Sequence, residues 1–206
     1  MTRENSSRGK SFVQYDENSH FPIENLPYGV FRTKANSLGR VGIAIGEEVL
    51  DLSVLEEEGL FTDILPSGRS FFNKSSLNDF MKTGKGVWQR LRKSIGSLLS
   101  INEPELRDND RLRGKAFVHQ QNVIMLLPAE ISNYTDFYSS MNHAKNVGTM
   151  IRGSENALQS NWLHLPVGYH GRASSIVVTG TNFPHPFGQI RPKEDQPPIY
   201  GQSGEM

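Results

Sequence analysis

The segment RVGIAIGEEVLDL, residues 40–52, carries apolar side chains at Val41, Ile43 and Ile45, stops at Gly46, and resumes with Val49, Leu50 and Leu52. Alternation with a period of two buries one face of an extended chain, and a glycine between two such runs supplies a turn. The segment therefore predicts a short β-hairpin with one face in a core. Upstream, LPYGVFRTK reads as a further strand. Downstream the period changes: Val87, Leu91, Ile95 and Leu98 recur every three or four residues with Lys and Arg between them, which predicts an amphipathic helix. Ser76 followed by Asp79 reads as the cap of a shorter helix before it. Pro104 suits the first turn of another, where its missing amide has no partner to lose.

At NVIMLLP, residues 122–128, the texture changes to a nearly unbroken apolar run ended by proline. Such a run predicts a strand buried on both faces, and a domain boundary is expected just before it, near residue 118. The expected organisation is a flexible polar tail over residues 1–19, a first domain over 20–118, and the start of a second over 119–206. In that second part the sequence predicts a strand at NYTDFYSS, a helix at MNHAKNVGTMIRG, and a strand over residues 174–179 entered through a glycine turn. The Pro- and Gly-rich tail after it is expected to close nothing. Only ~60 residues then remain to build a second core, which is small for a mixed domain.

The 206 residues suffice for one medium domain or a small domain plus part of another. The 22 basic and 22 acidic side chains cancel, so no broad field favours nucleic acid or an anionic membrane as the main partner. Cysteine is absent, which excludes disulfides, thiolate metal sites and a cysteine nucleophile. No stretch approaches the ~20 apolar residues of a membrane span, and the first ten residues lack the apolar run of a signal peptide. The expectation is a soluble, cytoplasmic protein.

The segment YTDFYSSMNHAKNVG, residues 134–148, concentrates polar groups that do not read as core. Asp136 sits at a strand exit, where it either bonds nearby amides as a turn residue or serves as one oxygen ligand of a hard cation. His143 falls in the early turns of the next helix, with Val147 and Ile151 expected on the inner side. There it is either a satisfied core histidine or a general base, since its unperturbed pKa of about 6.5 suits that task. Arg152 ends the helix, where the helix dipole favours a cation, and it also suits bidentate carboxylate binding. Tyr138 and Tyr169 are either packing aromatics or ligand donors. His164 and His170 share no regular spacing with His143, so zinc is not expected. TGKG at 83–86 lacks the remaining residues of a phosphate loop.

Taken in order, FPIENLPYGVF, RVGIAIGEEVLDLS, LPAEISNYTDFYSS, HAKNVG, NWLHLPVGYHGRASSIVVTGT and PPIYG resemble the amino-terminal half of the fumarylacetoacetase family over about residues 20–201. The resemblance implies a β-rich α+β fold: a small SH3-like barrel followed by the incomplete start of a β-roll, assembled as a homodimer when full length. It implies a hydrolase that cleaves a carbon–carbon bond of a small-molecule β-diketo acid, fumarylacetoacetate, to fumarate and acetoacetate in tyrosine and phenylalanine degradation. By resemblance Asp136 is a metal ligand for Ca²⁺ or Mg²⁺ and His143 the base that activates water. Tyr138, Arg152 and Tyr169 bind substrate oxygens.

The chain departs from that pattern at its end. A Glu-x-Glu pair is expected shortly after PPIYG, and the sequence reads GQSGEM instead. Glu205 does not have the spacing to take the ligand role. Met141 and Asn142 stand where the family usually has other polar residues. One carboxylate cannot hold Ca²⁺, which takes roughly six to eight oxygens, so the chain by itself is expected to be inactive. The alternative expectation is a catalytically silent binding or dimer-interfering module.

Overall fold

A computed structural model of the chain describes residues 10–191, 193 and 195–202; Glu205 and the first nine residues of the expected tail lie outside them. The hairpin of residues 40–52 forms as β2 (Arg40–Ile45) and β3 (Glu48–Asp51), paired antiparallel with Ile43 opposite Leu50. Val41, Ile43 and Ile45 are all buried, as the alternation requires. Gly46 makes the turn at φ 55°, a conformation that favours glycine, and a Cβ there would lie 2.8 Å from that of Tyr15. β1 (Tyr28–Thr33) pairs with β2 on one side, and β4 (Phe117–His119) pairs with β3 on the other.

The fifth strand, β5 (Val123–Leu126), corrects the expectation for residues 122–128. It pairs with β1 at the edge of the same sheet, in the order β4-β3-β2-β1-β5, and Ile124 and Met125 are exposed. The apolar run is an edge strand of the first sheet, not a central strand of a second, and no break separates it from β4 at residue 118. Hydrophobicity without alternation specifies burial poorly when the partner strand is distant in sequence. The class is the expected mixed one: helices on a curled five-stranded antiparallel sheet.

The core fills from both sequence periods. α1 (Leu52–Glu57), α2 (Asn78–Met81), α3 (Lys85–Leu98), α4 (Pro104–Arg107) and α5 (Asp110–Ala116) follow in order. α3 buries Leu91, Ile95 and Leu98 as its period predicts, and Pro104 sits in the first turn of α4. The Phe72 ring meets Phe61 and Phe80 edge-on, at 5.9 and 5.3 Å between centroids. Asp51 is buried, accepts the Ser53 amide at 3.0 Å to cap α1, and pairs with the buried Arg40. The Arg40 guanidinium lies 4.4 Å from the Phe31 ring centroid. Within the stretch expected as loose tail, Ser11 bridges to Ser100 and Phe12, Val13 and Tyr15 pack on the core.

The described residues divide into two compact units, separated between Ile176 and Val177. Residues 174–179 form no strand: Ser174 and Ser175 turn, and 176–178 join no ladder. β-branched side chains favour extension but name no partner. In the second unit β8 (Phe187–Ile190) and β9 (Ile199–Gln202) pair antiparallel, with Phe187 stacked on Tyr200 at 6.2 Å. The tail expected to close nothing is thus a hairpin, because Pro197 and Pro198 fall in its connection and spare the ladder.

Candidate active site

Beyond β5 the first unit carries β6 (Tyr134–Phe137), α6 (Met141–Arg152) and β7 (Gly168–Gly171). β6 and β7 pair antiparallel with Asp136 directly opposite Tyr169, and the Tyr169 hydroxyl donates to Asp136 Oδ2 at 2.6 Å. Glycines flank Tyr169's neighbourhood on β7 for a steric reason. A Cβ at residue 171 would lie 2.3 Å from the Tyr134 ring, and one at residue 168 would lie 2.7 Å from the Asp136 carbonyl oxygen. The two rings and the strand approach closely only because both positions lack side chains.

Ser140 caps α6, its hydroxyl accepting the His143 amide at 3.4 Å. The buried face of the helix is Ala144 and Gly148. Ile151, expected on the inner side with Val147, is exposed instead at 71 %. The inner face narrows to small residues because a loop carbonyl presses on it: a Cβ at residue 148 would stand 1.9 Å from the Ala157 carbonyl oxygen. Arg152 fastens the same loop, with Nε donating to the Asn156 carbonyl at 3.1 Å and Nη2 to the Ala157 carbonyl at 2.8 Å.

Asp136, Tyr138, His143, Arg152 and Tyr169 all line one cavity of about 280 Å³, together with Phe137, Ala144, Val147 and Gly148. Three elements, β6, α6 and β7, with the connection that carries Tyr138, thus bring together the five residues to which the resemblance gives a role. Trp162, which the sequence reading passed over, holds the rim by donating its indole N–H to the Tyr138 carbonyl at 3.0 Å. Gly148 was missed as well; no periodic pattern distinguishes a glycine required by a distant carbonyl. His164 and His170 do not line the cavity.

The Asp136 carboxylate shapes the titration around it. Its hydrogen bond pushes the Tyr169 phenol above the ordinary tyrosine value, with desolvation and its negative charge adding to the effect. The same negative charge raises Tyr134, its neighbour two residues back on the strand. A cavity with one carboxylate, one imidazole, one guanidinium and two phenols can bind an oxyanion, donate to keto oxygens and exchange a proton with water. It does not by itself fit a divalent cation. Asp136 is the only acidic residue in the lining, and no group of three or more His, Asp or Glu is placed to hold a metal among the described residues.

The chain belongs to the family described as fumarylacetoacetase N-terminal, whose model matches residues 24–128. That match covers the sheet, its helices and β5, and stops before β6. Full-length relatives extend the likeness. Fumarylacetoacetase of Bos taurus is 55% identical over 192 residues, 93% of this chain and 45% of its own length. That of Homo sapiens is 51% identical over 192 residues, with the same coverage, and that of Arabidopsis thaliana 48% over 197 residues, 96% of this chain and 47% of its own. The chain thus spans a little under half the length of these relatives. A match of 192 residues in a chain of 206 takes in residues 134–169, so the likeness runs through the cavity.

Proposed function

We propose that the chain supplies the base and the substrate-binding wall of a fumarylacetoacetase-type hydrolase, which adds water across a carbon–carbon bond of fumarylacetoacetate to give fumarate and acetoacetate. What supports this is that Asp136, Tyr138, His143, Arg152 and Tyr169 line one cavity. His143 takes a proton from water, and the hydroxide adds to the keto carbon at the scissile bond. As that bond breaks, the electron pair stays on the acetoacetate carbon, which recovers the proton from the imidazolium. Tyr138 and Tyr169 donate to keto oxygens, and Arg152 binds the substrate carboxylate. Arg152 has two of its donors committed to loop carbonyls, so it presents its remaining N–H groups.

The finer features belong to the same proposal: an SH3-like barrel for the first domain, a β-roll begun only beyond β5, a homodimer, a cytoplasmic setting in tyrosine and phenylalanine degradation, and Ca²⁺ or Mg²⁺ as the metal. The metal would polarise the diketone as a Lewis acid. Asp136 would supply one of its ligands, and the others would come from outside the described residues. That a single carboxylate lines the cavity among the described residues favours a second reading, in which these 206 residues alone are a silent binding or dimer-interfering module.

The test joins residues 1–202 to the remaining half of the Bos taurus relative and follows loss of the diketone absorbance of fumarylacetoacetate. Turnover is expected in the chimera and not in the 206-residue chain. His143→Ala should lower it by roughly 10²- to 10⁴-fold with Ca²⁺ affinity retained. A His143→Ala chimera as fast as its parent would remove the base assignment, and turnover by the short chain would remove the requirement for further ligands.

A further inference from the structure

A second concavity, of about 590 Å³, lies on the first unit away from β6 and α6, between α2, α3 and the start of β1. Its lining is mostly apolar: Tyr28, Leu77, Phe80, Met81 and Trp88. Trp88 is fixed by its indole N–H, which donates to the Phe80 carbonyl at 3.0 Å, yet the residue stays 38 % exposed. Volume and lining are those of a small-molecule site, which is mainly apolar with a few convergent polar groups.

The charged groups are of one sign. Gln89, Arg92 and Lys93 lie along α3 at the groove, and no acidic residue lines it among the described residues. Arg92 is committed, donating to the Leu26 carbonyl with its guanidinium 5.0 Å from the Tyr28 ring centroid. Lys93 is exposed and makes no ion pair or hydrogen bond with any described residue. In the same wall the Tyr28 hydroxyl is buried with no hydrogen-bond partner. A free ammonium and a committed guanidinium beside three aromatic rings select an anion with a flat apolar body.

We propose that this groove binds a small aromatic carboxylic acid, its ring against Trp88 and Phe80 and its carboxylate at Lys93. A cationic or zwitterionic ligand would meet Arg92 and Lys93 with no counter-charge, and a purely apolar one would leave Lys93 unused. The site shares no residue with the cavity of His143, so it stands or falls apart from the function proposed above.

The test is a titration of the ¹⁵N-labelled 206-residue chain with naphthalene-2-carboxylate, with 2-naphthylmethanol as the uncharged control. The two tryptophans report on the two sites, Trp88 at the groove and Trp162 at the other cavity. The acid should shift the Trp88 indole N–H signal saturably with a Kd on the order of 1 mM, as expected for a ligand of this size. The alcohol should bind more weakly, and Lys93→Ala should weaken the acid by roughly three- to fivefold, the worth of one exposed ion pair. Lys93 is exposed and forms no hydrogen bond or ion pair with a described residue, so that variant is expected to stay folded. No saturable shift at Trp88, a shift confined to Trp162, or equal midpoints for acid and alcohol would overturn the proposal.

Discussion

Asp136 and Tyr169 face each other across β6 and β7, and the phenol of one donates to the carboxylate of the other at 2.6 Å. The bond holds the acidic group toward the cavity before any ligand arrives. It also ties the Tyr169 proton to the folded state, because that phenol is raised above its ordinary value. The contribution is therefore complete below the ordinary tyrosine range and is lost as pH rises through the raised value. Asp136→Asn should bring the Tyr169 midpoint down, and that of Tyr134 with it, in a ring-carbon NMR titration. Unchanged midpoints would mean that the carboxylate is not what raises them.

Gly148→Ala should disturb the same site from the helix side. Its methyl would meet the Ala157 carbonyl, a backbone atom that cannot swing aside. Displacing that loop also takes the acceptors of Arg152 with it. A loss of about 1–3 kcal/mol is expected in urea unfolding. Gly86→Ala in α3, where a Cβ meets nothing within 4 Å, should instead gain about 0.5–1 kcal/mol.

Arg40→Met should destabilise the first unit by about 3–5 kcal/mol, because it leaves the buried Asp51 carboxylate without its cation. Adding Asp51→Asn removes the stranded charge while keeping an oxygen for the Ser53 amide. The double variant should recover much of the loss, and a simple sum of the two single effects would show that the pair is not coupled.

Tyr28→Phe deletes a buried hydroxyl that has no partner. Burial already pushes this phenol above its ordinary value against the opposing pull of Arg92. With the aromatic packing on Phe80 kept, the variant should gain about 1 kcal/mol in thermal unfolding. A loss of stability would point to a partner for that oxygen.

Local patterns were legible where local forces decide. The alternation about Gly46 and the three-to-four spacing of Leu91 and Ile95 each need only one buried face, and both elements formed. The polar cluster of residues 134–152 was legible because a strand, a cap and a helix close in sequence converge on one cavity. Legibility failed where the outcome depended on a distant partner. Residues 122–128 went to the edge of β1, ninety positions back, and 174–179 lost the strand to Gly168–Gly171. Ile151 turned outward because Ala157 took its side of the helix, and nothing near Gly148 announces that contact.

Among the described residues beyond β5, Ala144 and Ala157 are the only buried apolar side chains. Rigidity is consequently concentrated in the first sheet and its helices, not around the residues that line the His143 cavity. Amide hydrogens of β2, β3 and α3 should outlast those of β6, α6 and β7 by orders of magnitude in deuterium exchange, since opening the latter exposes almost nothing to water. The alignment of imidazole, guanidinium and phenol is thus tuned by a handful of hydrogen bonds more than by packing, and small polar perturbations should detune it before they unfold anything.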